Sequence, residues 1–185
     1  MVTENTRDHL LRNATETVRR GGSAALNFRD LGKSVGVKSA TVHYYFPTKA
    51  DLLKAIAGDY RAQFIGALND GVRSSRSLRQ DLLTLLDLFS TAQGEKLSCL
   101  CGMLATEADL LDDDVKGVVN EFFTSLQQWV VGQAKRRGVA TPGGLAPEPF
   151  ARVLVSLLEG ALLLSRLQAH RSSLTAARQW IQAAV

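Results

Sequence analysis

The stretch that decides the fold is Gly36-Val37-Lys38-Ser39-Ala40-Thr41-Val42-His43-Tyr44-Tyr45-Phe46-Pro47-Thr48-Lys49. It predicts a tight turn, a very short helix and the start of a further helix. Just upstream, residues 28–35 place Leu31 and Val35 four positions apart, which predicts another short helix. Two short helices joined by a three- or four-residue turn that contains glycine are typical of a helix-turn-helix.

The second of these short helices, residues 39–45, is rich in hydroxyl and aromatic side chains and poor in aliphatic ones. A helix that does not need to face a core, and that offers such groups, is suited to lie in a DNA major groove. Residues 1–61 hold ten Lys/Arg against six Asp/Glu, whereas residues 62–185 hold twelve of each. The net charge of +4 therefore belongs to the helix-turn-helix end, as contact with phosphates requires, although chance asymmetry would give the same count.

The apolar periodicity of the remaining chain predicts further helices and no strands. A first helix ends at Gly21-Gly22, and Thr48 to Asp51 fits a capping box that starts a helix at Thr48. The predicted fold is all-α, with a three-helix helix-turn-helix domain over residues 1–50 and a helical domain over residues 51–185. The helices after the first are expected at about 28–35, 39–45, 48–69, 78–92, 99–110, 112–137, 149–169 and 174–184, with a loop at 141–147.

The composition and the N-terminal residues limit the classes of protein to which this chain can belong. Apolar residues make up 45% of the chain, which is enough for a continuous core and argues against disorder. No apolar run reaches the roughly 18 residues of a membrane helix, and the N-terminus has no apolar signal segment. We therefore expect a cytoplasmic protein without a membrane partner, in which both cysteines are reduced.

The sequence offers little support for an enzyme. Its three histidines, His9, His43 and His170, are scattered, and no Gly-rich phosphate loop or metal-binding motif is present, so no catalytic residue, metal or cofactor is predicted. Cys99-Leu100-Cys101 invites a thiol-sensor interpretation. Residues two apart on a helix point about 200° apart, so buried, inert cysteines are the alternative.

Residues 7–56 resemble the TetR family of bacterial transcription regulators. The resemblance rests on the Gly36-Val37 turn, the aromatic end of the second short helix, and the step from Phe46 to Lys49 into a helix with Leu52 and Leu53. It implies a cytoplasmic homodimer whose N-terminal domain binds double-stranded operator DNA. It also implies a C-terminal helical domain that holds an effector pocket and the dimer contact. The segment Glu159 to Leu162, with Cys99-Leu100, is similar to the subgroup of the lincomycin-resistance repressors.

The resemblance assigns a set of DNA-binding residues. Small side chains would let the recognition helix approach the bases, aromatic ones would contact bases or phosphates, and Lys49 would clamp a phosphate at a helix N-terminus. Two residues depart from the family pattern: Lys38 replaces a capping hydroxyl, so the cap is lost or shifts to Ser39, and His43 replaces a tyrosine. His43 would either donate to a phosphate or pack between helices. The full set is Asn27, Lys38, Ser39, Ala40, Thr41, His43, Tyr44, Tyr45 and Lys49.

The helix predicted at 149–169 is apolar almost all round, so one side is expected to face a partner. By resemblance, it and the last helix would pair with a second copy through Val155, Leu158, Leu162 and Trp180. Glu159 lies inside this apolar helix, either as a polar anchor in an effector pocket or as a structural group paired with a residue such as Arg166. The candidate pocket residues are Phe89, Cys99, Met103, Phe122, Phe123, Leu126 and Glu159.

The resulting hypothesis is a ligand-responsive repressor that binds a near-palindromic operator as a dimer and is released by a small hydrophobic effector. Two alternatives stay open. One is a thiol-responsive DNA-binding regulator that uses Cys99 or Cys101. The other is a helical ligand-binding protein without regulatory DNA binding.

Overall fold

The computed structural model describes residues 5–94, 97–167 and 172–185, and this part of the chain contains helices and no strand. The expected all-α fold is therefore confirmed. Short 3-10 turns lie at Ser23–Ala25, Ala108–Leu110 and Pro142–Gly144. The α-helices are α1 (Thr6–Gly21), α2 (Phe28–Val35), α3 (Ser39–Tyr45), α4 (Lys49–Gly71), α5 (Leu78–Gly94), α6 (Leu100–Ala105), α7 (Asp113–Arg137), α8 (Pro147–Ser165) and α9 (Ser172–Ala184).

The chain forms two compact units, the first made of the chain up to Arg61 together with Leu100–Phe122. Its N-terminal helices start where the sequence offers caps: Asn5 accepts the N–H of Asp8, and Asn27 accepts those of Arg29 and Asp30. The helices pack through apolar side chains that are almost completely buried. These are Leu10, Ala14, Val18, Leu31, Val42, Phe46, Leu52 and Ile56.

Two cross-links inside the first unit join α4 to α7. Lys54 Nζ lies 3.3 Å from Asp114 Oδ2, and Arg61 pairs with Glu121. Because these pairs are partly exposed, each contributes little to stability, but together they define where the start of α7 lies against α4.

The second unit is made of Ala62–Cys99 and Phe123–Val185. Its helices bury Phe89, Leu126, Phe150, Leu158 and Ile181. Asp81 is completely buried and accepts two hydrogen bonds from the guanidinium of Arg137, at 2.9 and 3.0 Å. This bidentate geometry satisfies both carboxylate oxygens, so burying the charge is tolerated.

The structure differs from the sequence prediction mainly at α6. The expected helix over 99–110 ends at Ala105, and Cys99 lies before its first residue. Thr106 Oγ1 donates to the carbonyl of Met103 at 2.7 Å, which competes with continuation of the helix. Helix α8 begins two residues earlier than expected, at Pro147, because proline is favoured in a first helical turn. The predicted end at 169 lies outside the described residues. None of the helices in the described part combines the length and hydropathy that a bilayer span requires.

Candidate nucleic-acid interface

The turn between α2 and α3 is held by two glycines. Gly36 has φ 78° and ψ 27°, a left-handed conformation that ends α2 and redirects the chain. The N–H of Val37 then donates to the carbonyl of Gly32 at 2.8 Å. A Cβ on Gly32 would lie 2.9 Å from the carbonyl oxygen of Val37, so the close approach of α2 to the start of α3 requires glycine there.

Helix α3 is anchored by one buried side chain and exposes most of the others. Val42 is completely buried, and Phe46, directly after the helix, is also buried. Tyr44 is 81% exposed although it is a large aromatic residue. The remaining predicted DNA-binding residues of this segment are exposed (Lys38, Ala40, His43) or half-buried (Ser39, Thr41, Tyr45).

Lys38 occupies the N-cap position of α3 and makes no side-chain capping bond. The helix begins at Ser39, so the cap does not shift to that residue. The first helical hydrogen bond runs from the N–H of Thr41 to the carbonyl of Lys38 at 2.9 Å. Of the two possibilities raised by this departure, the structure therefore shows a lost cap, and the exposed ammonium of Lys38 stands near the helix N-terminus instead.

His43 is exposed and is held on two sides. Its ring centroid lies 4.7 Å from that of Phe28 in α2, and its Nδ1 lies 3.3 Å from the carbonyl oxygen of Pro47. Because a carbonyl oxygen only accepts, Nδ1 must carry the proton in this contact. The neutral ring then has no second N–H. In this tautomer Nε2 is an acceptor and would not donate to a phosphate, so the phosphate contact expected of His43 stays a prediction.

The expected capping box at the start of α4 is present. Thr48 Oγ1 donates to Asp51 Oδ2 at 2.7 Å and accepts the N–H of Asp51 at 3.1 Å, while the N–H of Thr48 donates to the same carboxylate. The Thr48 hydroxyl is the main cause that lowers the pKa of Asp51. Lys49, the first residue of α4, is exposed. Since first-turn N–H groups lack helical acceptors, Lys49 and the N–H groups beside it can serve a phosphate.

Asn27 acts as the N-cap of α2. Its Oδ1 accepts the N–H groups of Arg29 at 2.8 Å and Asp30 at 3.2 Å. The side chain is exposed, and its amide nitrogen takes no part in the cap. The cap uses the acceptor oxygen alone, and the phosphate contact expected of Asn27 stays a prediction.

Comparison with known proteins decides the family. Residues 10–56 match the model described as bacterial regulatory proteins of the tetR family, and residues 80–179 match the LmrA/YxaF-like C-terminal domain of transcriptional regulators. The chain belongs to the TetR family. It is a TetR-family transcriptional regulator, and the family and its relatives are DNA-binding regulators rather than enzymes. TetR regulators bind operator DNA and act as dimers.

Individual relatives agree with this assignment. The chain is 24% identical over 166 residues to the nicotine-responsive transcriptional repressor HdnoR of Paenarthrobacter nicotinovorans, with 87% of this chain and 84% of HdnoR covered. An HTH-type regulator in the lacX 3′ region of Lactococcus lactis subsp. lactis is 22% identical over 88% of this chain and 84% of its own length. A TetR regulator from Legionella pneumophila has a solved structure with a TM-score of 0.92, 26% identity and full coverage of both chains.

The predicted pocket residues of this TetR regulator are mostly packed core. Phe89, Cys99, Phe122 and Leu126 are at most 2% exposed, whereas Met103 and Phe123 are half-buried. Phe122 packs against Tyr60 and Phe89 against Phe64, with ring centroids 5.4 and 5.6 Å apart. Two surface cavities of about 410 and 360 Å³ in the second unit include none of these residues. The predicted pocket therefore stays a prediction.

Neither Cys99 nor Cys101 forms a disulfide, and both are buried, with 2% and 0% of their surface exposed. Oxidants react with exposed thiolates, so burial of both thiols disfavours the thiol-sensor alternative. Cys99 also lies outside α6, so the helical spacing argument used for the pair does not apply to it.

The residues expected at the dimer contact need correction. Val155, Leu158 and Leu162 are at most 3% exposed within one chain, so their area already belongs to the protomer core. Trp180 is 36% exposed and stacks on Phe150 at 6.5 Å. The apolar side chains of α8 that face outward are different ones.

We name the α8 stripe as Val153, Leu157, the half-buried Gly160 and Leu164 of the helix, with Leu167 two residues beyond its end. The four side chains other than glycine are 51%, 37%, 50% and 89% exposed. Their alternating spacing of four and three residues is the pattern of a helix seam that packs on another helix. Sequence reasoning missed this stripe, although the same spacing is present in the sequence, because the buried positions of α8 are equally apolar.

Proposed function

We propose that this TetR regulator is a repressor that binds a near-palindromic operator as a dimer and is released by a small, mainly apolar effector. The observation that carries the proposal is the α3 surface. Val42 anchors the helix from inside while Ala40, His43 and Tyr44 stay exposed, and Lys49 stands at the start of the next helix. This arrangement separates base-reading groups from a phosphate-binding group, as operator recognition requires.

The α8 stripe supports a dimer as the binding species. Leaving leucines exposed costs free energy that an isologous helix–helix contact would recover, and Gly160 has open space where a Cβ would lie. A two-fold dimer presents two α3 helices in opposite orientation. Such a pair matches an operator made of inverted half-sites.

Effector control is supported by the HdnoR relative and by contacts within the first unit. HdnoR is a nicotine-responsive repressor, which suggests ligand response for this chain as well. Glu107 lies two residues after the end of α6, and its carboxylate accepts the backbone N–H of Ser23 just after α1. A ligand that displaces α6 would therefore pull on the helix-turn-helix. By linkage, DNA must weaken the ligand by the factor by which the ligand weakens DNA.

The test is an anisotropy titration of the protein on labelled duplexes from the DNA upstream of its own coding region. The account expects saturable, salt-dependent binding to one duplex with two chains per site. It also expects loss of specific binding in Tyr44→Ala, with non-specific binding retained. Equal affinity for every duplex, or specific binding by a single chain, would contradict the proposal.

A further inference from the structure

The carboxyl group of Glu159 in α8 has one buried oxygen that the fold does not pair. Oε1 of Glu159 is shielded from solvent and has no hydrogen-bond partner among the described residues. Burial raises the pKa of Glu159 to about 7, while a hydrogen bond with the Cys99 thiol lowers it. A guanidinium beside the carboxylate would have lowered the pKa instead. The expected pair with Arg166 therefore does not account for this residue.

Glu159 also points away from the surface offered to a second copy. At 100° per residue, it lies between about 100° and 160° around the helix from Val153, Leu157, Gly160 and Leu164 of the α8 stripe. Its hydrogen bond with Cys99 joins α8 to the residue directly before α6, and both residues belong to the second unit. A partner chain on the stripe would consequently leave Oε1 without a partner.

The chemistry of the missing partner follows from the choice of side chain. An unpaired buried acceptor is costly, and a ligand N–H would remove that cost. A neutral amide or alcohol could be bound equally well by glutamine, which adds no buried charge. A carboxylate binds a cationic partner more strongly than glutamine does, because a charge-assisted hydrogen bond is about twice as strong as a neutral one.

We propose that Glu159 is the anchor for an organic ammonium ligand with an apolar body, bound within the second unit beside Cys99. The inference rests on the proposed function, in that such a ligand would be the effector. Cys99 is followed directly by Leu100, the first residue of α6. A ligand cation that binds Oε1 and shifts the contact with Cys99 would therefore act on α6, the helix that precedes Glu107.

The experiment compares matched ligands on the full chain without DNA. The probes are benzylamine, phenethylamine and tryptamine, each beside the neutral alcohol of the same skeleton, measured by calorimetry and by thermal shift. We expect at least one amine to bind about tenfold or more tightly than its alcohol. Glu159→Gln should remove this preference, while Glu148→Gln, an exposed carboxylate of the same helix that pairs with Lys135, should keep it.

The wild-type comparison needs no variant, so it stands even if Glu159→Gln folds poorly. Amines that bind no better than their alcohols would overturn the inference, and so would a preference that survives Glu159→Gln in folded protein. Titration of the ligand-free protein with operator DNA separates a failure of this inference from a failure of the proposed function. Specific DNA binding with no amine preference overturns the ammonium anchor alone. Amine binding that leaves operator affinity unchanged supports the anchor and overturns its effector role.

Discussion

The carboxylate of Glu107 accepts the backbone N–H of Ser23 through both oxygens, at 3.1 and 2.9 Å, across 84 positions of sequence. The carboxylate lies over Gly22, whose φ of 77° and ψ of −179° belong to a region that is essentially restricted to glycine. A Cβ on Gly22 would lie 2.1 Å from Glu107 Oε1. The end of α1 and the segment after α6 are thus fitted to each other within the first unit.

Gly22→Ala should lower the free energy of unfolding by about 2 to 4 kcal/mol, since backbone strain and the clash with Glu107 add together. The matched control is Gly138→Ala, which also has a positive φ, of 61°, but has nothing within 4 Å of the added Cβ. The control should cost about 1 kcal/mol from strain alone. Urea denaturation measures both variants. Equal losses of unfolding free energy in the two variants would show that the contact with Glu107 adds nothing to the cost of a side chain at position 22.

Lys49→Ala should weaken binding to all duplexes and reduce the slope of log affinity against log salt by about one unit, because one phosphate contact disappears. Lys135→Ala removes the same charge from an exposed pair at the end of α7 and should leave the slope unchanged. Anisotropy titrations at several salt concentrations compare the two. A slope that is unchanged in Lys49→Ala would remove this residue from the DNA interface.

Leu157→Glu should convert a dimer into a folded monomer, because the change places a charge in the middle of the α8 stripe but outside the protomer core. Leu110→Glu is the control, since Leu110 is 83% exposed on a 3-10 turn elsewhere in the chain. Sedimentation velocity at micromolar concentration gives the oligomeric state, and circular dichroism confirms folding. A Leu157→Glu protein that still sediments as a dimer would exclude the stripe as the contact.

The titration of Glu159 predicts how stability depends on pH. Its folded-state pKa of about 7 is above the ordinary value of 4.5, so the folded protein holds more protons between these pH values. The contribution to stability is therefore complete below about pH 4.5 and is lost as pH rises through 7. The glutamine of the Glu159→Gln variant does not titrate in this range. The free energy of unfolding of the variant should therefore rise relative to that of the wild type by up to about 3 kcal/mol between pH 4.5 and 8. Urea denaturation gives the free energy of unfolding against pH for both proteins, and parallel profiles would show that the fold does not raise the pKa of Glu159.

Sequence reasoning worked best where the interactions are local. The α2 and α3 helices and the Thr48–Asp51 capping box were predicted with their correct positions, because caps, turn glycines and four-residue spacing act over a few residues. The contact between Glu107 and Ser23 leaves no local signal, since its partners are far apart in sequence.

Helix α8 shows a different limit. Because its residues are apolar nearly all round, the sequence predicts burial but not which face meets the protomer core. The packing of α5 and α9 decides that Leu158 turns inward and Leu157 outward. The break after α6 was missed for a related reason: the bond from Thr106 to the Met103 carbonyl competes with the helix only in the folded segment.

The central claim is that two copies of α3 read DNA bases. The most direct measurement is selection of bound duplexes from a randomised pool by the purified protein, followed by sequencing. The account predicts one enriched motif with two inverted half-sites, and a changed motif when the selection is repeated with Thr41→Ala. Enrichment of no motif, or the same motif with Thr41→Ala and Tyr44→Ala alike, would contradict it.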